Sequence, residues 1–254
     1  MARLVAVGWG LHLKQLSRSA FSVLTSVVQP LIFATLAFYL FRTGERSGTL
    51  LYAALGAGLM GIWSSTLFGS GGAIQWQRWQ GTLEILVAAP VPFVLAFLPL
   101  TLASATTGVY SVAATLLWGR LLFGVPLALA HPLLFVVALP VAVVSLGLLG
   151  LLLASTFVLY RHANALSNLL EYPVWLATGL LVPLSLLPQA VLPVSWALAP
   201  TWGARAIRAA ALGGDPLPGI AMCVALGAVY LALAALFLRH FERLARERAT
   251  LSLT

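Results

Sequence analysis

Charge is what this sequence has least of. Only 8% of its 254 residues are Asp, Glu, Lys or Arg, while 61% are hydrophobic. A soluble domain carries roughly a quarter charged residues, so the ordinary globular class is excluded and a bilayer has to serve as solvent. Lysine occurs once, as Lys14 between Leu13 and Gln15. A Walker-type phosphate loop needs Gly before its Lys and Ser or Thr after it, so the chain cannot use ATP through such a loop. Cysteine also occurs once, as Cys223 inside an apolar run, which excludes an intrachain disulfide. The four histidines, at 12, 131, 162 and 240, have no metal-site spacing, and no metal ligand set is expected. Paired acids are missing too: Glu84 and Glu171 read as lying at span edges, and Glu45 and Asp215 outside. Ion-coupled transport needs an ionisable group inside the membrane, and the sequence offers no clear one. Outside the last fifteen residues there is no dense basic face, which argues against a nucleic-acid partner.

What is present is long apolar runs. A helical span needs about twenty mostly apolar residues. Six windows qualify, roughly 21–41, 50–72, 93–118, 132–159, 167–182 and 220–238. The fourth carries Pro140, where a kink or tilt is expected. An even count puts both termini on one side. Placing them in the cytoplasm assigns nine basic residues inside and five outside, the direction of the positive-inside rule. The Arg and Lys near the N-terminus interrupt its apolar stretch, so no cleavable signal peptide is expected there. The expected fold is an all-α membrane protein in a single transmembrane domain, residues 1–254.

Segments between the windows carry more information. In residues 1–18, Val5, Trp9, Leu13 and Leu16 recur at helical spacing with Lys14 and Arg18 on another face. This predicts an interfacial amphipathic helix on the membrane lipid. In residues 75–90, Trp76, Trp79, Leu83 and Leu86 form one stripe, and Gln77, Gln80 and Glu84 form a polar stripe beside it. Such a helix rests its tryptophans on the membrane and presents Gln and Glu to water. Residues 183–217 are rich in Pro yet mostly apolar, and predict short helices dipping into the outer leaflet, packed on protein. Gly69-Ser70-Gly71-Gly72 reads as a small-residue helix-packing patch rather than a serine nucleophile. Gln29, Ser64, Ser65 and Thr66 are the candidate polar residues of a pathway, with Thr106 and Thr107 near them in kind.

Two of these segments match a known family. Arg78-Trp79-Gln80-Gly81-Thr82-Leu83-Glu84, followed by an apolar pair and Pro90, resembles the first cytoplasmic loop of ABC transporter type-2 permeases, the exporter transmembrane subunits similar to antibiotic and drug-efflux permeases. Gly179-Leu180-Leu181-Val182-Pro183, then Pro188, Trp196, Pro200 and Arg208, resembles the same family's signature after the fifth span. Trp79 departs from a usual charged residue, and Ala199-Pro200 stands where Asn-Pro is common. The resemblance implies that 75–90 is a coupling helix seated in a cytoplasmic ABC ATPase. Gln77, Arg78, Gln80, Gly81, Thr82 and Glu84 would then meet the ATPase, and Trp76, Trp79, Leu83 and Leu86 would face the membrane. Gly81 would sit inside that helix, close to the partner's backbone. It also implies an external re-entrant cap built on Pro183, Pro188, Trp196, Pro200 and Arg208.

The expected protein is therefore a permease without enzyme activity of its own. It pairs with a second copy, binds two ATPase subunits that carry ATP and Mg, and exports a hydrophobic or amphipathic small molecule by alternating access. A polysaccharide or glycolipid exporter on the same scaffold is the alternative, and a non-transporting membrane scaffold the rival from another class. The Arg-over-Lys excess and the topology suggest a bacterial inner or plasma membrane with both termini cytoplasmic.

Overall fold

The computed structural model describes residues 2–42, 48–79, 81, 91–157, 163–180 and 183–248. Among these residues every regular element is helical and no strand occurs. The helices are α1 (Ala2–Arg18), α2 (Ala20–Arg42), α3 (Gly48–Trp79), α4 (Phe93–Thr107), α5 (Val109–Phe123), α6 (Pro132–Phe157), α7 (Ala163–Ala177), α8 (Leu192–Trp196), α9 (Ala199–Leu212) and α10 (Leu217–Arg248). Two short 3₁₀ turns, Leu184–Leu186 and Gln189–Val191, lie between α7 and α8.

Five stretches are long and apolar enough to cross a bilayer: Ser22–Tyr39, Leu50–Ser70, Phe93–Phe123, Pro132–Thr156 and Leu217–Arg243. They match five of the six predicted windows, with α4 and α5 joined through Gly108 into one. α6 is continuous through Pro140. The remaining window, 167–182, is not one long helix: α7 has 15 residues and ends at Ala177. The reason is local. Gly179 adopts φ +78°, a left-handed conformation that suits Gly at a helix end, and Pro183 opens the first 3₁₀ turn.

The bundle is arranged around α3. Its apolar stretch is 83% buried, against 24% for that of α2 and 22% for that of α10. Small residues make this central position possible. A Cβ on Gly58 would lie 2.7 Å from the Val112 Cα of α5, so only Gly lets the two backbones approach this closely. Ser70 is fully buried, and the Gly69–Ser70 pair packs against Ser104 of α4 and Gly150 of α6, the helix contact expected of that patch. Pro30 lacks the N–H that would bond the Ser26 carbonyl. Ser111 of α5 donates its hydroxyl to that carbonyl instead, at 2.5 Å.

The apolar stripe of α1 rests on protein. Val5, Leu13 and Leu16 are partly buried, and the helix packs along α4. Gly8 meets Pro99, the Trp9 indole donates to Thr106 Oγ1 at 3.1 Å, and Ser17 pairs with the Tyr110 hydroxyl at 2.8 Å. These contacts advance together, so α1 and α4 run in the same direction. Burial pulls the His12 imidazole below its ordinary 6.5, and a hydrogen bond with Gln15 opposes this in part.

The segment expected to form a separate coupling helix divides differently. Residues 75–79, including Trp76, Gln77, Arg78 and Trp79, form the last turns of α3. Gly81 is exposed at φ +65° in a turn. It therefore stops a helix rather than sitting inside one, because a left-handed residue cannot continue a right-handed helix. Gln80, Thr82, Leu83, Glu84 and Leu86 lie outside the described residues.

Candidate functional site

Between α2, α3, α4 and α7 lies a cavity of about 240 Å³. Its walls combine the aromatics Phe33, Phe68 and Trp175 with Ser26, Gln29, Ser64, Ser65, Ser104 and Thr107. Three of the four sequence-predicted pathway residues, Gln29, Ser64 and Ser65, are thus brought together. Thr66 is not among them. It is fully buried, bonds the Ile62 carbonyl at 2.7 Å and packs its methyl on Gly150, so it belongs to the α3–α6 contact. Trp175 is fixed by edge-on packing with Phe33 at 5.0 Å and with Tyr172 at 5.1 Å between ring centroids.

The residue that sequence reading missed is Glu171. Read as lying at a span edge, it sits in the middle of α7 and is only 3% exposed. Ser64 donates its hydroxyl to Glu171 Oε1 at 2.6 Å, and the Gln29 amide donates to the same oxygen at 3.3 Å. Both donors come from the interiors of apolar helices, so the carboxyl group is deep in the bundle. The window edges misled here because α7 begins earlier and ends sooner than hydropathy suggests. A signal was available: Ser167, Glu171, Val174, Trp175 and Thr178 repeat at helical spacing, and all are buried. That pattern marks the inward face of a helix.

Residues 183–212, within the stretch expected to form the outer cap, fold as two 3₁₀ turns followed by α8 and α9. α9 is buried along most of its length, packed among α3, α6 and α10. Tyr230 of α10 ties its start, donating to the Ala197 carbonyl at 2.6 Å and accepting from the Ala199 N–H at 3.0 Å. Pro200 is buried in its first turn, whereas Trp196 is exposed and accepts the Trp202 indole N–H on its carbonyl at 2.8 Å. Pro183 and Pro188 each precede a 3₁₀ turn. Arg208 is the fastening. Its Nη1 donates to the Gly179 carbonyl at 2.6 Å and to the Tyr52 hydroxyl at 2.9 Å. Nη2 donates to the Leu180 carbonyl at 2.9 Å, and the guanidinium stacks 3.6 Å above the Tyr52 ring. A planar fork matches two successive carbonyls in a way an ammonium cannot.

A larger cavity of about 620 Å³ lies beneath this cap, lined by Tyr52, Gly179, Trp196, Arg205, Arg208 and Asp215. A small void shares Phe33 and Met60 with the inner cavity and Tyr52 with the outer one. Tyr52, stacked beneath Arg208, lines both this void and the outer cavity.

A bundle of apolar helices long enough to span a bilayer, with a cavity of mixed aromatic and hydroxyl lining inside it, defines a multi-pass membrane protein. A family model described as ABC-2 type transporter matches residues 4–212. The chain belongs to this family: it is the membrane-spanning permease subunit of an ABC transporter, the kind of subunit that works with an ABC ATPase. No curated protein matches the chain.

Proposed function

We propose that this permease moves a hydrophobic or amphipathic small molecule out of the cell by alternating access. In this reading two copies of the chain pair, and each seats one copy of a separate ATPase that binds ATP and Mg. The observation that carries the reading is the inner cavity, partly open, mixed aromatic and hydroxyl in lining and of drug-fragment size. Ligand sites of this kind are mostly apolar with a few placed polar groups. Its small volume favours a compact cargo over a polysaccharide chain.

The reading takes α7 together with the turns after it as the fifth of six crossings, running outward and capped by a re-entrant 183–217 region. Both termini then lie in the cytoplasm of a bacterial cell. A second copy fits the exposed apolar faces of α2 (Leu24, Val28, Ile32 and Leu36) and α7 (Leu169, Tyr172 and Leu176).

Energy enters through the segment after α3. Gln77, Arg78, Gln80, Gly81, Thr82 and Glu84 contact the ATPase in this reading, with Trp76, Trp79, Leu83 and Leu86 transmitting its movement to the helices. The test is gentle purification of a tagged chain with its ATPase, comparing the parent with Glu84→Arg. The expected outcome is an ATPase that co-purifies with the parent and is lost from the variant. Equal recovery and equal transport with both would refute the assignment of Glu84.

A further inference from the structure

The inner cavity has a chemical polarity that narrows its occupant. Four of its hydroxyls have already donated their hydrogens: Ser26 to the Val23 carbonyl, Ser64 to Glu171, Ser104 to the Leu100 carbonyl and Thr107 to the Ser104 carbonyl. One Gln29 amide N–H is also committed to Glu171. These groups leave a ligand the hydroxyl lone pairs and the Gln29 carbonyl oxygen as acceptors, beside the second Gln29 N–H and the unpartnered Trp175 indole N–H as donors. Directly behind Gln29 and Ser64 stands a buried carboxyl group. Among the described residues no Arg, Lys or His forms an ion pair with Glu171. Buried charges in proteins are paired, and acidic groups inside membrane bundles mark ion or substrate paths.

We propose that this cavity is the binding site for an amphipathic cation carrying N–H donors, a protonated amine on an apolar body, with Glu171 as its counter-charge. The ammonium donates to Gln29 Oε1 and Ser64 Oγ, both polarised by the carboxylate they bond. The apolar body lies against Phe33, Phe68 and Trp175, whose ring faces also favour a cation. This inference rests on the small-molecule export reading and specifies its cargo.

The experiment uses the permease with its co-purified ATPase in phosphatidylcholine nanodiscs. Two probes are compared, a dansyl-tagged long-chain alkylamine and its neutral N-acetylated counterpart. Binding is read by dansyl fluorescence above empty nanodiscs, and turnover by ATPase stimulation. The parent is expected to bind the amine at least about tenfold more tightly than the acetylated probe, the scale of a hydrogen bond to a charged group. Glu171→Gln is expected to abolish that preference while its affinity for the acetylated probe stays the same, which also reports that it is folded. Equal affinity of the parent for both probes, with ATPase stimulated by both, overturns the inference and leaves the export reading standing. Retention of the preference by Glu171→Gln overturns the inference in the same way. Failure of the parent to bind or respond to either probe overturns the export reading together with the inference.

Discussion

Arg208 permits the most detailed test of the cap. Replacing it by Met keeps much of the side-chain volume and removes three hydrogen bonds, those to the carbonyls of Gly179 and Leu180 and to the Tyr52 hydroxyl. Each orphaned buried carbonyl costs about 1–3 kcal/mol. Part of this is returned, because a buried cation no longer has to be desolvated. A net loss of about 3 kcal/mol is expected, and at about 2–4 °C per kcal/mol for a chain of this size the melting temperature falls by about 6–12 °C. Arg208→Lys keeps the charge but not the fork, reaches one carbonyl at a time, and should lie about midway. Tyr52→Phe keeps the ring beneath the guanidinium and loses only the hydroxyl bond, about 1 kcal/mol. The assay is size-exclusion of a fluorescently tagged chain after heating, with hydrogen exchange around Gly179 to show that the turn is what loosens. A Met variant that melts with the parent, or a Lys variant indistinguishable from it, would refute the view that the fork holds the turn.

Three further outcomes follow from local packing. Gly58→Leu must push a side chain into the α5 backbone, where even a Cβ would sit 2.7 Å from Val112 Cα. The expected cost is about 3 kcal/mol, seen as aggregation or early melting. Gly10→Ala, with nothing within 4 Å of the new Cβ, should be silent or stabilising. The docking of α1 should depend on pH through His12. Its imidazole, partly buried and held below 6.5, is favoured neutral when docked. Undocked or unfolded it takes up its proton at the higher, ordinary pKa. Docking is therefore complete above pH 6.5 and weakens as pH falls below it. Hydrogen exchange of residues 2–18 between pH 7.5 and 5 should show the loss, and His12→Phe should flatten it.

Residue chemistry alone went far here. The apolar runs forced a helical membrane protein, because a backbone in lipid must satisfy its own hydrogen bonds. Five of the predicted windows needed no tertiary information for that reason. Gln29, Ser64 and Ser65 were picked out as rare polar groups among apolar neighbours, and the lone Lys14 already excluded a Walker loop. Gly179 and the prolines after it announced the disturbed backbone between α7 and α9.

Hydropathy averages over a window, so it fixes neither where a helix begins and ends nor which way its faces point. Glu171 was assigned to an edge because an average cannot say which way a helix face points. Only the packing of α7 against α2 and α3 turned it inward onto Ser64 and Gln29. The family resemblance implies Gly81 inside a helix, whereas the backbone there takes a left-handed turn. Thr66 sits two residues from Ser64, yet a rotation of about 200° at helical spacing sends it to the α6 contact. Amino-acid content determined the solvent and the secondary structure. Which polar groups meet inside the bundle was decided by how the helices pack, because burial of a side chain depends on neighbours far away in sequence.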